Sequence, residues 1–185
     1  MLWAALDAGV RAVRVHGLAG DDAAWVAARD RLAQQIWEHG YDAELNSFVQ
    51  VYGGTEVDSS LLNIAQVGFV AFDDPRMLGT AERIEQELGT EAGLIYRYRN
   101  ADGLDGIEGQ DNPHLASSLW LAQQHIRSGR TERGRLILDA VLDRANDVGL
   151  LSTEYSLRRS RMTGNFPQSL AHIALVDAID ALLGA

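Results

Sequence analysis

The chain of 185 residues contains no cysteine, only three prolines and no long apolar run. The absence of cysteine excludes disulfides, thiolate metal sites and cysteine nucleophiles, and it fits a reducing compartment, so we expect a cytoplasmic protein. No apolar run reaches the ~20 residues of a membrane-spanning helix, and the apolar start lacks the basic region of a signal peptide. We therefore predict that the chain does not enter a membrane.

Basic residues are also scarce. The 16 basic residues, all of them arginines, stand against 26 aspartates and glutamates, which gives a formal net charge of -10 and a pI of about 4.8. Because nucleic-acid binding depends on a clustered positive surface, this balance argues against nucleic acid as a partner. His16, His39, His125 and His172 stand at no metal-ligand spacing, and we predict neither a metal nor a cofactor.

Helical periodicity runs along nearly the whole chain. Apolar residues recur at three- and four-residue spacing, with aspartate caps and glycine stops between the segments. The exception is a β-prone stretch over residues 41–54, where a short extended piece is expected. These patterns predict helices over residues 1–16, 21–39, 56–73, 74–88, 112–127, 131–146 and 167–183, the last of them apolar on most of its circumference and therefore buried.

The predicted fold is all-α, with about seven helices in hairpin order. Two long loops interrupt them, over residues 89–112 and 147–166, and long loops inside compact domains are more often functional than short ones. Helical hairpins whose alternate connections gather at one end build an α/α toroid or solenoid, in which the loops of one rim form a pocket. The length predicts a single domain over residues 1–185, large enough to bury a core.

The two loops carry different side chains. In the first, Tyr96, Arg97, Tyr98 and Arg99 alternate aromatic and cationic groups ahead of several acidic residues. Such an alternation is typical of a solvated strand or a cation–π cluster as well as of a sugar site. The second loop carries Glu154 ahead of a basic, polar run, and an acid of that kind is also common on a solvated surface loop.

Four blocks of sequence go beyond these general patterns. In chain order they are VYGGTEVDSSLL, then YRYRNADGLDG with DNPHLASSLWLA, then RANDVGLLSTEYS, then TGNFPQSLAHIALVDA. Their order and spacing resemble the carboxy-terminal half of glycoside hydrolase family 15, the glucoamylases and the bacterial or archaeal trehalases. The resemblance covers essentially the whole chain. It implies part of an (α/α)6 barrel and a glycosidase of carbohydrate metabolism that cleaves α-glucosidic bonds from the non-reducing end with inversion.

The resemblance also implies an incomplete enzyme. The family's amino-terminal β-sandwich and the first half of its barrel would precede this chain, and its general acid is a glutamate in a loop before the helix that begins at Met1. An inverting glycosidase needs that protonated carboxyl to release the leaving group and a second, ionised carboxyl to activate water. One carboxylate cannot serve both purposes, so we expect the chain alone to be inactive.

The position of the family's base falls on Thr153 in this sequence, with Glu154 directly after it. A threonine hydroxyl titrates far above neutral pH and cannot act as a carboxylate base. Glu154 could take over only through a shift of the loop by one residue, because neighbouring side chains of an extended segment point apart. Glu154 is therefore a candidate catalytic residue on that condition alone.

Other residues match the family's substrate site better. Arginine suits such a site because its planar fork makes paired hydrogen bonds to vicinal hydroxyls, and the expected ligand is an α-glucoside or an oligosaccharide. His114 stands where an aromatic ring is common in the family. The substrate-binding residues that the resemblance implies are Tyr52, Asp58, Arg97, Tyr98, Asp102, Asp105, Asn112 and His114.

Two functions follow as alternatives. The chain is either the rear part of a family 15 glucosidase, catalytic only together with a front part, or a degenerate, non-catalytic helical module that binds a sugar or a partner protein. In both cases the inner faces of the first helices, including Leu2, Leu6 and Val10, would lack neighbours. Exposed apolar patches drive association, so we expect self-association through this unfinished barrel edge.

Overall fold

The structure, a computed structural model, describes residues 1–99 and 111–184. Helices dominate this part of the chain, and the strands form only two antiparallel two-stranded hairpins, which agrees with the all-α prediction. No helix among these residues is long and apolar enough to cross a membrane. In chain order the elements are α1 (Leu2–His16), α2 (Asp22–His39), β1 (Tyr41–Asp42), β2 (Ser47–Phe48), α3 (Asn63–Gln66), α4 (Pro75–Leu88), α5 (Leu115–Arg127), α6 (Thr131–Leu142), β3 (Glu154–Ser156), β4 (Arg161–Thr163) and α7 (Ser169–Leu183).

Side-chain caps fix the first helices where the sequence predicts them. The carboxylate of Asp21 accepts a hydrogen bond from the Ala24 N–H at the start of α2, and Asp74 caps α4 in the same way ahead of a proline at the first helical position. An aspartate cap satisfies one of the backbone donors that the first turn leaves without a partner. Gly17 ends α1 in the left-handed conformation, at φ 67.

The helix predicted over residues 56–73 is much shorter in the structure. A 3-10 helix (Ser59–Leu62) is followed by the single turn α3. Asp58 is in an extended conformation and forms a β-bridge with Tyr98, so the helix cannot begin before it. Gly68, with φ 76, then lies just beyond α3 in a conformation that a right-handed helix does not use.

Two further boundaries also differ from the prediction. We expected Asn112 and Pro113 to open a helix, but α5 begins at Leu115 because His114 is extended and acts as its cap. The expected loop over residues 147–166 contains the hairpin β3–β4, in which Glu154 pairs with Thr163. Backbone pairing within this segment was not visible in its polar sequence.

Helix α5 lies at the centre of the core. It buries 11 of its 13 residues and packs against both α6 and α7. Leu119 and Leu121 of α5, Ile84 of α4 and Val141 of α6 are almost completely excluded from solvent. These aliphatic side chains join the helices into one hydrophobic cluster.

The prediction of a buried last helix is wrong. Helix α7 starts at Ser169 and buries only its alanines, Ala171, Ala174, Ala178 and Ala181. Several of its bulky residues are exposed, with Ile173 59%, Val176 64% and Leu183 82% exposed, whereas Leu175 and Leu182 pack partly buried against the core. Small side chains let α7 approach α5 closely, while Ile173, Val176 and Leu183 lie outside this contact.

The first helix is only partly as expected. Leu2 is 74% exposed, as predicted, whereas Val10 is 4% exposed and therefore packed. Helices α1 and α2 pack against each other as consecutive helices. The expectation that Val10 lacks neighbours is therefore wrong.

Candidate functional site

A row of backbone contacts brings together four segments that are far apart in the sequence. Asp58 pairs with Tyr98, and His114 pairs with Glu154. The N–H of His114 donates to the carbonyl of Ile95 at 2.8 Å, which joins the two pairs into one row. The six polar residues on this row, which we call the rim, are Asp58, Arg97, Tyr98, Asn112, His114 and Glu154.

Two rim residues are also helix caps. Asp58 accepts a hydrogen bond from the Ser60 N–H at 2.6 Å and begins the 3-10 helix. His114 begins α5, where its Nδ1 accepts the Ser117 N–H at 3.1 Å. The rim therefore lies at the amino-terminal ends of these two helices, where backbone N–H groups point outwards.

A chain of hydroxyls holds the imidazole of His114. The Oγ of Ser117 lies 2.9 Å from Nδ1 of His114, and the Oγ of Ser59 lies 2.7 Å from the Oγ of Ser117. Both serines are completely buried. Neither was predicted as a site residue, although the spacing of a serine three positions after the cap is a detectable signal of this arrangement.

The charge state of His114 follows from its surroundings. The pKa of the imidazole is lowered to about 4, mainly by burial and also by the positive charge of Arg97, while Asp58 opposes both effects. Burial acts in this direction because it disfavours the charged form. His114 is consequently neutral at physiological pH.

Glu154 meets Asn112 across the rim. The amide Nδ2 of Asn112 donates to Oε2 of Glu154 at 3.3 Å. Burial raises the pKa of this half-buried carboxyl, and the charge of Asp111 raises it too, whereas the hydrogen bond from Asn112 lowers it. A carboxyl with a raised pKa can exchange a proton nearer to neutral pH than an ordinary glutamate.

Thr153 interacts on a different side from Glu154. Its Oγ1 accepts a hydrogen bond from the Asn165 N–H at 3.1 Å and lies 3.4 Å from the amide nitrogen of Gln168. Gly164 packs closely on it, since a Cβ at that position would lie 2.9 Å from the Thr153 Cβ. The side chain of Thr153 is thus occupied by the segment that leads into α7.

The remaining predicted residues divide into three groups. Arg97 is exposed, and its guanidinium carbon lies 5.7 Å from the ring centroid of Tyr98. Asp102 and Asp105 lie outside the described residues. Tyr52 is 51% exposed and packs against the ring of His39, so the structure does not place it on the rim.

The rim combines a guanidinium, a phenol, a neutral imidazole, an amide and two carboxyls. These groups can donate to and accept from several hydroxyls at once, which is what recognition of a neutral polyhydroxylated molecule requires. Among residues 1–99 and 111–184 no three metal-binding side chains cluster together. The arrangement therefore suits hydrogen bonding to a sugar.

Comparison with known proteins finds similar sequences among the trehalases. The trehalase of Thermoplasma volcanium is 36% identical over 176 residues, which cover 95% of this chain and 28% of that protein. The trehalase of Mycobacterium tuberculosis is 35% identical over 179 residues, covering 97% of this chain and 26% of that protein. The chain thus spans less than a third of the length of these relatives.

Solved structures show the same fold. A wild-type glycosidase superimposes with a TM-score of 0.79 and 22% identity over 97% of this chain and 51% of its own. A glycosidase variant solved in complex with glucose gives 0.74 and 21% over 87% of this chain and 44% of its own. This likeness confirms the predicted partial (α/α)6 toroid.

A family model for the glycosyl hydrolases family 15 matches residues 1–136, which is most of the chain. This match includes the rim segments of Asp58, Arg97 and His114. The chain therefore belongs to glycosyl hydrolase family 15.

Proposed function

We propose that the rim binds the terminal glucose unit of an α-glucoside, and that trehalose is the first candidate because the named relatives are trehalases. The observation that carries the proposal is the row of backbone contacts that places Asp58, Tyr98, His114 and Glu154 side by side. The family is one of glycosidases that act in carbohydrate metabolism. A neutral sugar also fits a rim without a concentrated charge of one sign.

Each rim residue has a role that its chemistry supports. The fork of Arg97 is exposed and can donate a pair of hydrogen bonds to neighbouring hydroxyls. Asp58 is buried, and its carboxylate can accept from a hydroxyl besides the Ser60 N–H. Glu154, held by Asn112, supplies a further acceptor at the other end of the row. Binding of this kind would place a sugar ring across the amino-terminal end of α5.

The proposal includes binding without hydrolysis by the chain alone. Thr153 occupies the position of the family's base, and its hydroxyl is engaged by Asn165 and Gln168. Glu154 is the carboxyl beside Asn112, but a single carboxyl cannot both protonate the leaving group and activate water. That residues 1–185 are one domain forming the rear part of a barrel stays a prediction.

A second candidate function is self-association, or the binding of a partner protein, through the apolar face of α7. Three of its large aliphatic side chains, Ile173, Val176 and Leu183, are more than half exposed. They lie on one helix with Leu170, which is 41% exposed, and exposed apolar side chains in such number on one element mark interaction sites. This function does not compete with sugar binding, because the rim lies at the end of the helices.

Calorimetric titration tests the sugar site. The wild-type chain should bind trehalose and maltose more tightly than the β-linked disaccharide cellobiose. Arg97→Lys should weaken trehalose binding about tenfold, because lysine cannot form the paired hydrogen bonds of the guanidinium, and tenfold corresponds to about 1.4 kcal/mol. Arg99→Lys is the matched control, since Arg99 donates to the carbonyl of Glu87, away from the rim.

Two results would contradict the proposal. One is the absence of measurable trehalose binding at millimolar sugar; the other is an equal loss of affinity in both arginine variants. The claim about hydrolysis is tested separately by assaying glucose release from trehalose, maltose and starch. Turnover that disappears in Glu154→Gln would show that Glu154 has replaced the base.

A further inference from the structure

The tautomer of His114 can be read from its partners. The Ser117 backbone N–H can only donate, and it points at Nδ1 of His114 over 3.1 Å. Nδ1 must therefore carry a lone pair and no hydrogen. In a neutral imidazole the single hydrogen then resides on Nε2.

The serine chain agrees with the same assignment. Because Nδ1 cannot donate, the 2.9 Å contact with the Ser117 Oγ is a hydrogen bond only if that hydroxyl donates to Nδ1. The Oγ of Ser117 is then left to accept from the hydroxyl of Ser59, 2.7 Å away. Both serines are completely buried, so water cannot exchange for either partner. Two donors thus hold Nδ1 as an acceptor.

The other nitrogen lies on the opposite side of the ring. Nε2 is turned away from the N-terminus of α5, and within residues 1–99 and 111–184 no group accepts a hydrogen bond from it. Arg97 and Asp58 are the charged groups that act on the ring. A donor with a fixed direction therefore remains on the rim between them.

We propose that His114 is a specificity-determining residue, whose Nε2–H donates one hydrogen bond to a single hydroxyl oxygen of the bound sugar. The inference rests on the proposed function and goes further, since it assigns the rim a donor that cannot accept. A donor with a fixed direction discriminates against a ligand that lacks the matching oxygen, because that ligand cannot form the hydrogen bond. The neutral state of the ring, maintained by burial and by Arg97, keeps the donor the same across physiological pH.

Nitrogen NMR of the uniformly labelled full chain tests the tautomer directly. The ring signals of His114 are assigned by their absence in His114→Asn. We expect a bare Nδ1 and a protonated Nε2 at every pH from 6 to 8. A protonated Nδ1, or a doubly protonated ring at pH 7, would overturn the inference.

Deoxy sugars then identify the hydroxyl. Of the 2-, 3-, 4- and 6-deoxy derivatives of glucose, one should bind the wild-type chain about 5- to 10-fold more weakly than glucose, the loss of one hydrogen bond between neutral groups. His114→Asn should show no such difference for that derivative. Asparagine is the matched variant because its side-chain oxygen can still cap α5, whereas its short side chain does not reproduce Nε2–H.

Every outcome of these experiments tests one of two claims: that the rim binds a sugar, and that Nε2–H of His114 donates a hydrogen bond to it. If glucose shifts other rim signals, such as the side chain of Arg97, while the Nε2 signal of His114 stays unchanged, the donor assignment is wrong and sugar binding stands. If no signal responds to glucose or trehalose, both claims fail. If His114→Asn does not fold, the wild-type tautomer together with the deoxy series decides, because a purely structural histidine would not make binding depend on one hydroxyl.

Discussion

Helices α5 and α7 have similar lengths and pack against each other, but they bury different kinds of residues. Helix α5 buries nearly every residue, including polar ones such as Gln124. Helix α7 is the more apolar of the two, but only its four alanines are buried. Burial is therefore decided by where a helix lies among its neighbours and not by how apolar it is.

The difference has a physical basis in the packing distance. The alanine stripe of α7 contributes little apolar area, but it permits close approach to α5 and the dispersion contacts that depend on it. The exposed isoleucine and valine side chains bury little of their apolar surface. The free energy of unfolding should therefore depend mainly on α5 and its contacts, whereas α7 should mainly provide an exposed surface.

The largest expected effect is at the centre of α5. Leu119→Ala removes a completely buried side chain and should lower the free energy of unfolding by about 2–5 kcal/mol through lost burial and the cavity left behind. Val176→Ala on the outer face of α7 should change it by less than about 0.5 kcal/mol. Urea unfolding measures both. Equal losses in the two variants would refute the contrast between the helices.

The next effect concerns the ion pairs on either side of α5. Glu85 of α4 accepts from Nε2 of His125 at 3.1 Å and from Arg133. Glu85→Gln should cost about 1.5–3 kcal/mol, the range for hydrogen bonds to a charged group. Asp180→Asn is the matched change on α7, where the exposed Asp180 lies 3.6 Å from Arg127, and it should cost at most about 1 kcal/mol.

The same carboxyl predicts a pH dependence. The hydrogen bond from His125 lowers the pKa of Glu85 from 4.5 to about 2, with Arg133 acting in the same direction against burial. A carboxyl whose pKa is lower in the folded state stabilises the fold above its unfolded pKa, and this contribution is lost as the pH falls from about 4.5 towards 2. Glu85→Gln should unfold with a flatter dependence in that window. An unchanged dependence would show that other carboxyls control acid unfolding.

A smaller effect is expected from enlarging the alanine stripe. Ala178→Leu should lower the free energy of unfolding by about 1–3 kcal/mol, because the added side chain would force α7 away from α5. Val176→Leu adds volume on the solvent side of the same helix and should be nearly neutral. If Ala178→Leu is as stable as the wild-type chain, α7 does not pack against α5 closely enough for the added side-chain volume to matter.

The smallest effect on stability should accompany a large effect on association. Ile173→Ser combined with Val176→Ser should change the free energy of unfolding by no more than about 0.5 kcal/mol, since both side chains are exposed. Sedimentation should nevertheless show a loss of self-association. Arg158→Ser on an exposed turn is the control. A wild-type chain that sediments as a monomer would contradict the role proposed for this face.

Local signals in the sequence gave reliable predictions and long-range ones did not. The caps at Asp21 and Asp74 and the stop at Gly17 depend on a few neighbouring residues, and they predicted α2, α4 and the end of α1. The bridge between Asp58 and Tyr98 joins residues 40 positions apart, and no local pattern announces it. Because the sequence gives no local signal for this bridge, the helix predicted over residues 56–73 was too long.

The candidate site shows the same difference between local and long-range signals. The resemblance selected Asp58, Tyr98 and His114 for the substrate site and left Glu154 as a conditional candidate, and the structure brings these four residues onto one row. The direction in which Thr153 bonds depends on Asn165 and Gln168, and the sequence alone could not supply it. Sugar binding by these residues, the absence of a cofactor and a cytoplasmic location stay predictions.

Asp58 and His114 are both helix caps and rim residues, and this combination has an evolutionary consequence. Each begins a helix as well as facing the rim, so its replacement damages folding regardless of what the protein binds. Selection for a stable chain alone would then preserve both residues in a lineage that no longer cleaves any sugar. Arg97 is exposed and is not a helix cap, so this constraint does not act on it. Whether descendant sequences keep or lose Arg97 would therefore report on ligand recognition alone.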